Sequence, residues 1–215
     1  MRNHLLDAEI KKLYDKSYAE DEPWVYNKAW ERQILSHFIL SRLPSFPRIV
    51  IDVGCGTGLH ASLLAEMCEH VVGADFSHTG IQKARNQSNA QSNLMYMCLD
   101  ANELSKWFRP VFDLVLVRGL SSYHYCLADA DVVSITKKLF ALCKPGGCFC
   151  LMIATDLSGT DRPDGTCNNR LEDYLRVLTP FGHVLPVIDW EGNSIQADTK
   201  RAKIGLIVTV VKESK

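Results

Sequence analysis

The chain has 215 residues, a length that a single domain commonly occupies. Its 24 lysines and arginines nearly balance its 25 aspartates and glutamates, and the formal net charge of −1 argues against nucleic-acid binding through bulk charge. Apolar residues make up 47% of the chain and charged residues 23%, which is typical of globular proteins and excludes a disordered or fibrous one. The apolar stretches are far shorter than the roughly 18 residues of a membrane span, so we expect no membrane insertion.

The eight cysteines indicate a reducing compartment. They form no CxxC pair and no zinc-finger spacing. Several, such as Cys148 and Cys150, lie inside apolar runs, where a thiol behaves as a small buried hydrophobe. Residues 1–22 are charged and lack the apolar region of a signal peptide. We therefore expect a cytoplasmic protein without a metal site, whose oligomeric state the sequence leaves open.

Two amphipathic helices are predicted before the first strand, over residues 5–19 and 24–42, and Pro44 and Pro47 end the second. We expect this segment, residues 1–45, to form a helical lid on a core of residues 46–215 within one domain. Stacked aromatic rings exclude water and attract cations. The segment carries five aromatic residues within 17 positions: Tyr14, Tyr18, Trp24, Tyr26 and Trp30.

Strands and helices alternate regularly in the rest of the chain. The predicted helices cover residues 57–68, 77–89, 101–107, 129–143 and 169–178. Seven apolar runs are predicted strands: residues 48–53, 71–74, 94–99, 112–117, 148–154, 184–189 and 204–211. Nearly continuous apolar strands separated by helices predict an α/β fold with a doubly wound, mostly parallel, seven-stranded sheet. Because the last two strands lack a helix between them, we predict that the final strand is antiparallel.

The strongest local pattern is the GxGxG sequence from Gly54 to Gly58, which follows the first strand and opens a helix. An open α/β sheet binds its ligand at this position, and glycines let the backbone approach that ligand closely. Asp52 precedes the pattern by two residues. A carboxylate opposes a pyrophosphate but suits a ligand that bears an ammonium or a sulfonium. A tight turn without a ligand is the alternative.

Two further carboxylates end successive strands. Asp75 ends the second strand, where its two oxygens are suited to accept both hydroxyls of a ribose. Asp100 ends the third strand, where it is suited to accept a hydrogen bond from an exocyclic amine such as that of adenine. For both residues, capping the helix that follows is the alternative.

Together these residues resemble the class I S-adenosylmethionine-dependent methyltransferases over roughly residues 48–212. Residues 52–58 resemble the first motif of that family, residues 112–117 its fourth strand, and residues 142–147 the turn before its fifth strand. The resemblance implies S-adenosylmethionine as the cofactor, with Asp75 on its ribose and Asp100 on its adenine. The residues that we expect to bind the cofactor are Tyr18, Asp52, Gly54, Cys55, Gly56, Gly58, Asp75, Phe76, Asp100, Ala101 and Arg118.

The segment after the fourth strand, Arg118 to His124, bears on the acceptor. Methyltransferases acting on nucleobase amines often carry an Asn/Asp-Pro-Pro-Tyr/Phe motif there, and this chain has no proline in that segment. We therefore expect in-line methyl transfer to an oxygen or nitrogen of a small-molecule acceptor. His124 is the candidate catalytic base, with a packing role as its alternative, and Asp156 is a weaker candidate. Arg118 is suited to pair with the cofactor carboxylate or an acidic substrate.

Other functions stay open at this point. They are a catalytically silent cofactor-binding protein of the same fold, a protein or nucleic-acid methyltransferase, and a nicotinamide oxidoreductase. The GxGxG spacing and Asp52 disfavour the last of these. We expect residues 155–170 and 190–203 to form a second cap, which would leave a small enclosed pocket.

Overall fold

The computed structural model describes residues 7–20, 26–88, 91–124, 126–158 and 169–213. Trp24, the start of the first predicted helix and residues 159–168 of the predicted second cap lie outside the described residues. None of the helices in the described ranges is both long enough and apolar enough to cross a membrane.

An eight-stranded sheet forms the centre of the described structure, in the order β3-β2-β1-β4-β5-β8-β6, with β7 also paired to β8. Strands β1 to β5 pair with one another in parallel and β8 is antiparallel to β5, which confirms the predicted fold class. The strands are β1 Ile49–Val53, β2 His70–Asp75, β3 Leu94–Cys98, β4 Phe112–Arg118, β5 Cys143–Thr155, β6 His183–Val184, β7 Ile188–Asp189 and β8 Ile204–Val211.

The eighth strand arises because the predicted strand 184–189 is divided. Pro186 has no N–H to donate and interrupts the run, so β6 and β7 pair separately with β8. The backbone between them is still bonded, since the Leu185 N–H donates to the Thr209 carbonyl at 2.9 Å. Strand β5 also begins earlier than predicted, at Cys143, and absorbs the turn that was expected to end the preceding helix.

The helices are confirmed, mostly with shorter bounds than predicted. They are α1 Asp7–Ala19, α2 Lys28–Gln33, α3 Leu59–Ala65, α4 His78–Gln87, α5 Leu104–Trp107, α6 Ala130–Phe140 and α7 Leu171–Leu178. The prediction of helix at residues 26 and 27 is wrong: Asn27 is the N-cap of α2, and its side chain accepts hydrogen bonds from the N–H groups of Ala29 and Trp30. The helical path continues beyond α2 as a π-helix and a 3₁₀ turn to Arg42.

The two faces of the sheet bury separate apolar clusters. Helices α6 and α7 pack on one face, and α3, α4 and the N-terminal helical segment pack on the other. Ile34, Leu35 and Ile39 anchor the N-terminal segment with exposures of 0, 0 and 1%. Full burial of such side chains contributes about 1.5–3 kcal/mol each. The segment is therefore fastened to this face of the sheet.

Candidate active site

The three glycines of the loop after β1 all have left-handed backbones, with φ of 75° at Gly54, 54° at Gly56 and 87° at Gly58. They make room for different neighbours. A Cβ on Gly56 would lie 2.7 Å from the Tyr18 hydroxyl, and one on Gly58 would lie 2.3 Å from the Tyr96 hydroxyl. Gly54 lines the first of two cavities at this edge of the sheet. Of the three, Gly54 is therefore the one whose missing Cβ brings the backbone close to that cavity, whereas Gly56 makes room for the N-terminal segment and Gly58 for the core.

Asp75 is held by the backbone at the end of β2. Its Oδ2 accepts the Gly56 N–H at 2.9 Å and its Oδ1 accepts the Ser77 N–H at 2.8 Å. The side chain of Ser77 caps α4, because it accepts the Gly80 N–H at 3.0 Å. Burial raises the pKa of Asp75 above its ordinary value. Each carboxylate oxygen keeps a further lone pair, and the residue lines the cavity, so the group is positioned to accept ligand hydroxyls.

A cavity of about 490 Å³ lies between this loop, the N-terminal segment and the turn after β4. That volume is within the range of small-molecule sites. Four of the five predicted aromatic residues line it: Tyr14, Tyr18, Tyr26 and Trp30. The Tyr14 ring meets the Phe76 ring edge to face, with 5.4 Å between their centres. The N-terminal segment therefore forms one wall of the cavity, and its role as a lid stays a prediction.

A buried network of ionisable side chains joins the N-terminal segment to the core. Glu31, on α2, is 3% exposed; its Oε2 lies 2.8 Å from His60 Nε2, and its Oε1 accepts a hydrogen bond of 2.7 Å from Arg118 Nη2. Burial opposes ionisation of Glu31, but the hydrogen bonds and charges of His60 and Arg118 outweigh it and hold the pKa of Glu31 below its ordinary value. The Arg118 guanidinium lies 4.4 Å from the Tyr26 ring centre and 4.9 Å from that of Trp190. Arg118 lines the cavity but is already paired, so its predicted contact with the cofactor carboxylate stays a prediction.

Asp52 lies beneath the glycine loop and is 1% exposed. It is absent from the lining of the first cavity, and its Oδ2 has no hydrogen-bond partner within the described ranges. Burial raises the pKa of Asp52 to about 6, although the charges of His60 and Arg118 lower it. Asp52 therefore interacts electrostatically with His60 and Arg118 of the buried network. Its predicted direct contact with the cofactor stays a prediction.

Of the remaining residues predicted to bind the cofactor, some line the first cavity and others do not. Phe76 lines the cavity, but Asp100 and Ala101 do not. Asp100 is exposed and its Oδ1 accepts the Asn102 N–H at 2.7 Å in the turn before α5, whereas the N-cap of α5 is Glu103, so Asp100 does not cap that helix. Cys55 is buried, and burial raises the pKa of its thiol well above the ordinary value, so it serves there as a small neutral side chain. The cofactor contacts of Asp100, Ala101 and Cys55 stay predictions.

His124 ends the 3₁₀ turn Ser121–His124 and lines two cavities at once. The second cavity measures about 550 Å³. Four residues line both cavities: Trp30, His124, Ala154 and Trp190. The indole of Trp190 lies on Gly205, where a Cβ would be 2.0 Å from its Cδ2 atom. Several residues of the predicted cap segment 190–203 line the second cavity. Asp156 lines neither cavity.

Sequence reasoning missed Glu31 and His60. A signal for Glu31 was available, because Ile34 and Leu35 follow it by three and four positions and share its helix face, so an acidic residue stood among buried apolar ones. His60 carried no comparable signal, since its partner lies 29 residues away in the chain.

Comparison with known proteins supports one class. Residues 50–147 match the sequence model of a methyltransferase domain, and the fold is similar to that of solved S-adenosylmethionine-dependent methyltransferases. The resemblance inferred from the sequence is thereby confirmed.

Three relatives illustrate the similarity. A ubiquinone biosynthesis O-methyltransferase from Coxiella burnetii is 35% identical over 99 residues, which are 46% of this chain and 40% of the relative. Nodulation protein S from Bradyrhizobium diazoefficiens is 26% identical over 117 residues, 54% of this chain and 55% of the relative. The chain thus spans about half the length of these curated relatives. The crystal structure of N-methyltransferase NodS from Bradyrhizobium japonicum WM9 with S-adenosyl-L-homocysteine matches with a TM-score of 0.71 at 19% identity, covering 94% of this chain and 97% of NodS.

Proposed function

We propose that the protein is an S-adenosylmethionine-dependent methyltransferase that methylates an oxygen or nitrogen of a small-molecule acceptor. The observation that carries this proposal is the aromatic-lined cavity of about 490 Å³ at the carboxyl ends of β1, β2 and β4. An open α/β sheet binds its ligand at that edge. The methyltransferase-domain match over residues 50–147 supports the same activity.

The residues around the cavity fit the cofactor chemically. The backbone-held carboxylate of Asp75 retains lone pairs for two ribose hydroxyls, and Gly54 allows close approach of a ligand to the main chain. The faces of Tyr14 and Phe76 suit an adenine ring or a sulfonium. When bound, the cofactor supplies an electrophilic methyl group. The cofactor contacts of Tyr18, Asp52, Cys55, Gly56, Gly58, Asp100, Ala101 and Arg118 belong to this proposal.

The N-terminal segment acts as a lid in this proposal, within one domain that comprises residues 1–215. Tyr18 lies against Gly56, and the Asp15 carboxylate accepts the Ser77 hydroxyl at 2.5 Å. The Glu31–Arg118 pair fastens the other end of the segment. A lid of this kind excludes water from the reacting centre and holds the acceptor in line with the methyl group.

His124 is the proposed base because it borders both cavities. An oxygen acceptor must lose its proton during transfer, and His124 is positioned to remove that proton or to orient the hydroxyl. A neutral amine acceptor needs no base before transfer. One relative is named for O-methylation and another for N-methylation, so the proposal covers both acceptor atoms.

Small acceptors are favoured by the walls of the site and by the near-neutral charge of the chain. Seven cysteines in the described ranges are free thiols, and we propose a cytoplasmic location on that basis.

The proposed function is tested in two steps. Calorimetry first measures binding of S-adenosylhomocysteine, and turnover assays then measure how much S-adenosylhomocysteine forms from S-adenosylmethionine with a panel of phenols, amines and carboxylic acids. Binding with turnover is the expected result. Binding without turnover would instead indicate a catalytically silent cofactor-binding protein.

A further inference from the structure

We propose that the second cavity holds the methyl acceptor, and that Lys203 and Arg201 in its wall recognise an oxyanion, a carboxylate or phosphate group, on that acceptor. This inference rests on the proposed function, because it takes the first cavity as the cofactor site.

The adjacency of the two cavities places the acceptor. Trp30, His124, Ala154 and Trp190 line both of them. Methyl transfer requires the acceptor atom to lie about 3–3.5 Å from the methyl group, in line with the bond that breaks. A cavity of about 550 Å³ that shares His124 with the first one adjoins the cofactor site and has room for a small molecule.

The hydrogen-bonding capacity of Asp189, one of two carboxylates in this wall, is already used. Asp189 is 2% exposed and accepts four hydrogen bonds. They come from the Glu191 N–H at 2.9 Å, the Asn193 N–H at 2.8 Å, Asn193 Nδ2 at 3.0 Å and Arg201 Nη1 at 3.1 Å. A carboxylate offers about four lone-pair sites, so Asp189 orders the wall and has no site left for a ligand.

The two cations of the wall retain unused donors. Arg201 gives one N–H to Asp189, and its half-exposed guanidinium has further N–H groups without partners in the described structure. Lys203 forms no ion pair with any residue of the described ranges, and its ammonium carries three donors. The remaining wall carboxylate, Glu191, is exposed and accepts Asn193 Nδ2 at 3.3 Å. Donors therefore exceed acceptors, and an acceptor-rich oxyanion complements the wall.

The backbone conformation of Lys203 also supports a ligand-binding role for this residue. Its φ is 53°, and it is the one non-glycine residue with positive φ in the described part of the chain. A lysine pays a conformational penalty in this region that glycine or asparagine avoids. A lysine at the cavity wall despite that penalty is consistent with a ligand-binding role.

The first experiment compares matched probes. Protein saturated with S-adenosylhomocysteine is titrated calorimetrically with 4-hydroxybenzoate, 4-hydroxyphenyl phosphate and the neutral 4-hydroxybenzamide. We expect at least one oxyanion probe to bind roughly tenfold more tightly than the amide, a ratio that a charge-assisted hydrogen bond readily provides. The oxyanion probe that binds more tightly shows whether the wall recognises a carboxylate or a phosphate group on the acceptor. Equal affinities for all three probes would overturn the proposal.

The second experiment separates recognition from structure. Lys203→Gly removes the ammonium and relieves the backbone, so we expect loss of the oxyanion preference together with an unchanged or higher Tm and unchanged S-adenosylhomocysteine affinity. Glu191→Gln is the matched control and should keep or strengthen the preference. An undiminished preference in Lys203→Gly, or equal losses in both variants, would overturn the proposal. Failure of S-adenosylhomocysteine to bind the wild-type protein would instead remove the proposed function.

Discussion

Glu31 on α2 and Arg118 at the end of β4 form a buried ion pair, with 2.7 Å between Glu31 Oε1 and Arg118 Nη2. Their side chains are 5% and 8% exposed, so both charges are removed from water. The pair joins the N-terminal segment to the strand that leads to His124. It therefore links the position of the lid to the edge of the sheet where the site lies.

Removing one partner should be costly, because the other charge is left buried without compensation. Glu31→Gln is expected to lower the free energy of unfolding by about 3–5 kcal/mol, as for other broken buried pairs. The measurement is urea denaturation followed by circular dichroism. Arg32→Gln is the control: Arg32 pairs with Glu66 on the surface, with side chains 42% and 34% exposed, and its loss should cost about 1 kcal/mol or less. Equal losses in the two variants would show that the buried pair has no special role.

The strands and the glycine loop were predictable because continuous apolar runs and turn residues are local signals. The Glu31 network was not, since Glu31 meets partners 29 and 87 residues further along the chain. The division of the strand 184–189 had a local cause, Pro186, that the apolar pattern concealed. The roles of Asp52 and Asp100 depend on burial, which the sequence does not give: Asp52 lies within β1 and is enclosed, whereas Asp100 follows β3 and is exposed.

A second prediction concerns pH and Asp52. Its pKa is about 6 in the folded protein against an ordinary value of 3.8, so ionisation of Asp52 makes folding less favourable as pH rises between these values. The Asp52→Asn side chain stays neutral at every pH, so the variant does not lose folding stability in this pH range. At about 1.4 kcal/mol per pKa unit, we expect the variant to gain about 3 kcal/mol of stability relative to wild type between roughly pH 4 and pH 7. Chemical denaturation at several pH values measures the gain. A stability difference that does not change with pH would contradict the assignment.

A third prediction tests the boundary between the cavities. Gly205→Ala places a Cβ 2.0 Å from the Trp190 ring, so the indole must move. We expect a loss of about 1–3 kcal/mol of stability, together with a change in tryptophan fluorescence. In a Trp190→Phe background the smaller ring has room to shift, and the same Gly205→Ala change should cost less. Additive effects in this double-mutant cycle would show that the two residues do not interact.

A fourth prediction concerns the proposed base. If the acceptor atom is an oxygen, His124→Gln should lower kcat by roughly 10²–10⁴, the usual range for a general base, and leave S-adenosylhomocysteine affinity unchanged. His78→Gln is the control, since His78 is exposed at the start of α4 and lines neither cavity. Single-turnover methyl transfer measures the effect. Equal rates for the two variants would remove the base role and favour a nitrogen acceptor.

Calorimetric titration with S-adenosylhomocysteine tests the central claim most directly, comparing wild type, Asp75→Ala and the exposed-carboxylate control Asp131→Ala. Asp75→Ala removes two hydrogen bonds to a charged acceptor, each worth about 1.5–3 kcal/mol, so affinity should fall roughly tenfold or more. Melting followed by circular dichroism verifies that the variant is folded, because Asp75 also accepts the N–H groups of Gly56 and Ser77. We predict tight binding by wild type and Asp131→Ala and weak binding by Asp75→Ala. Equal affinity in all three proteins, or no binding by wild type, would contradict the account.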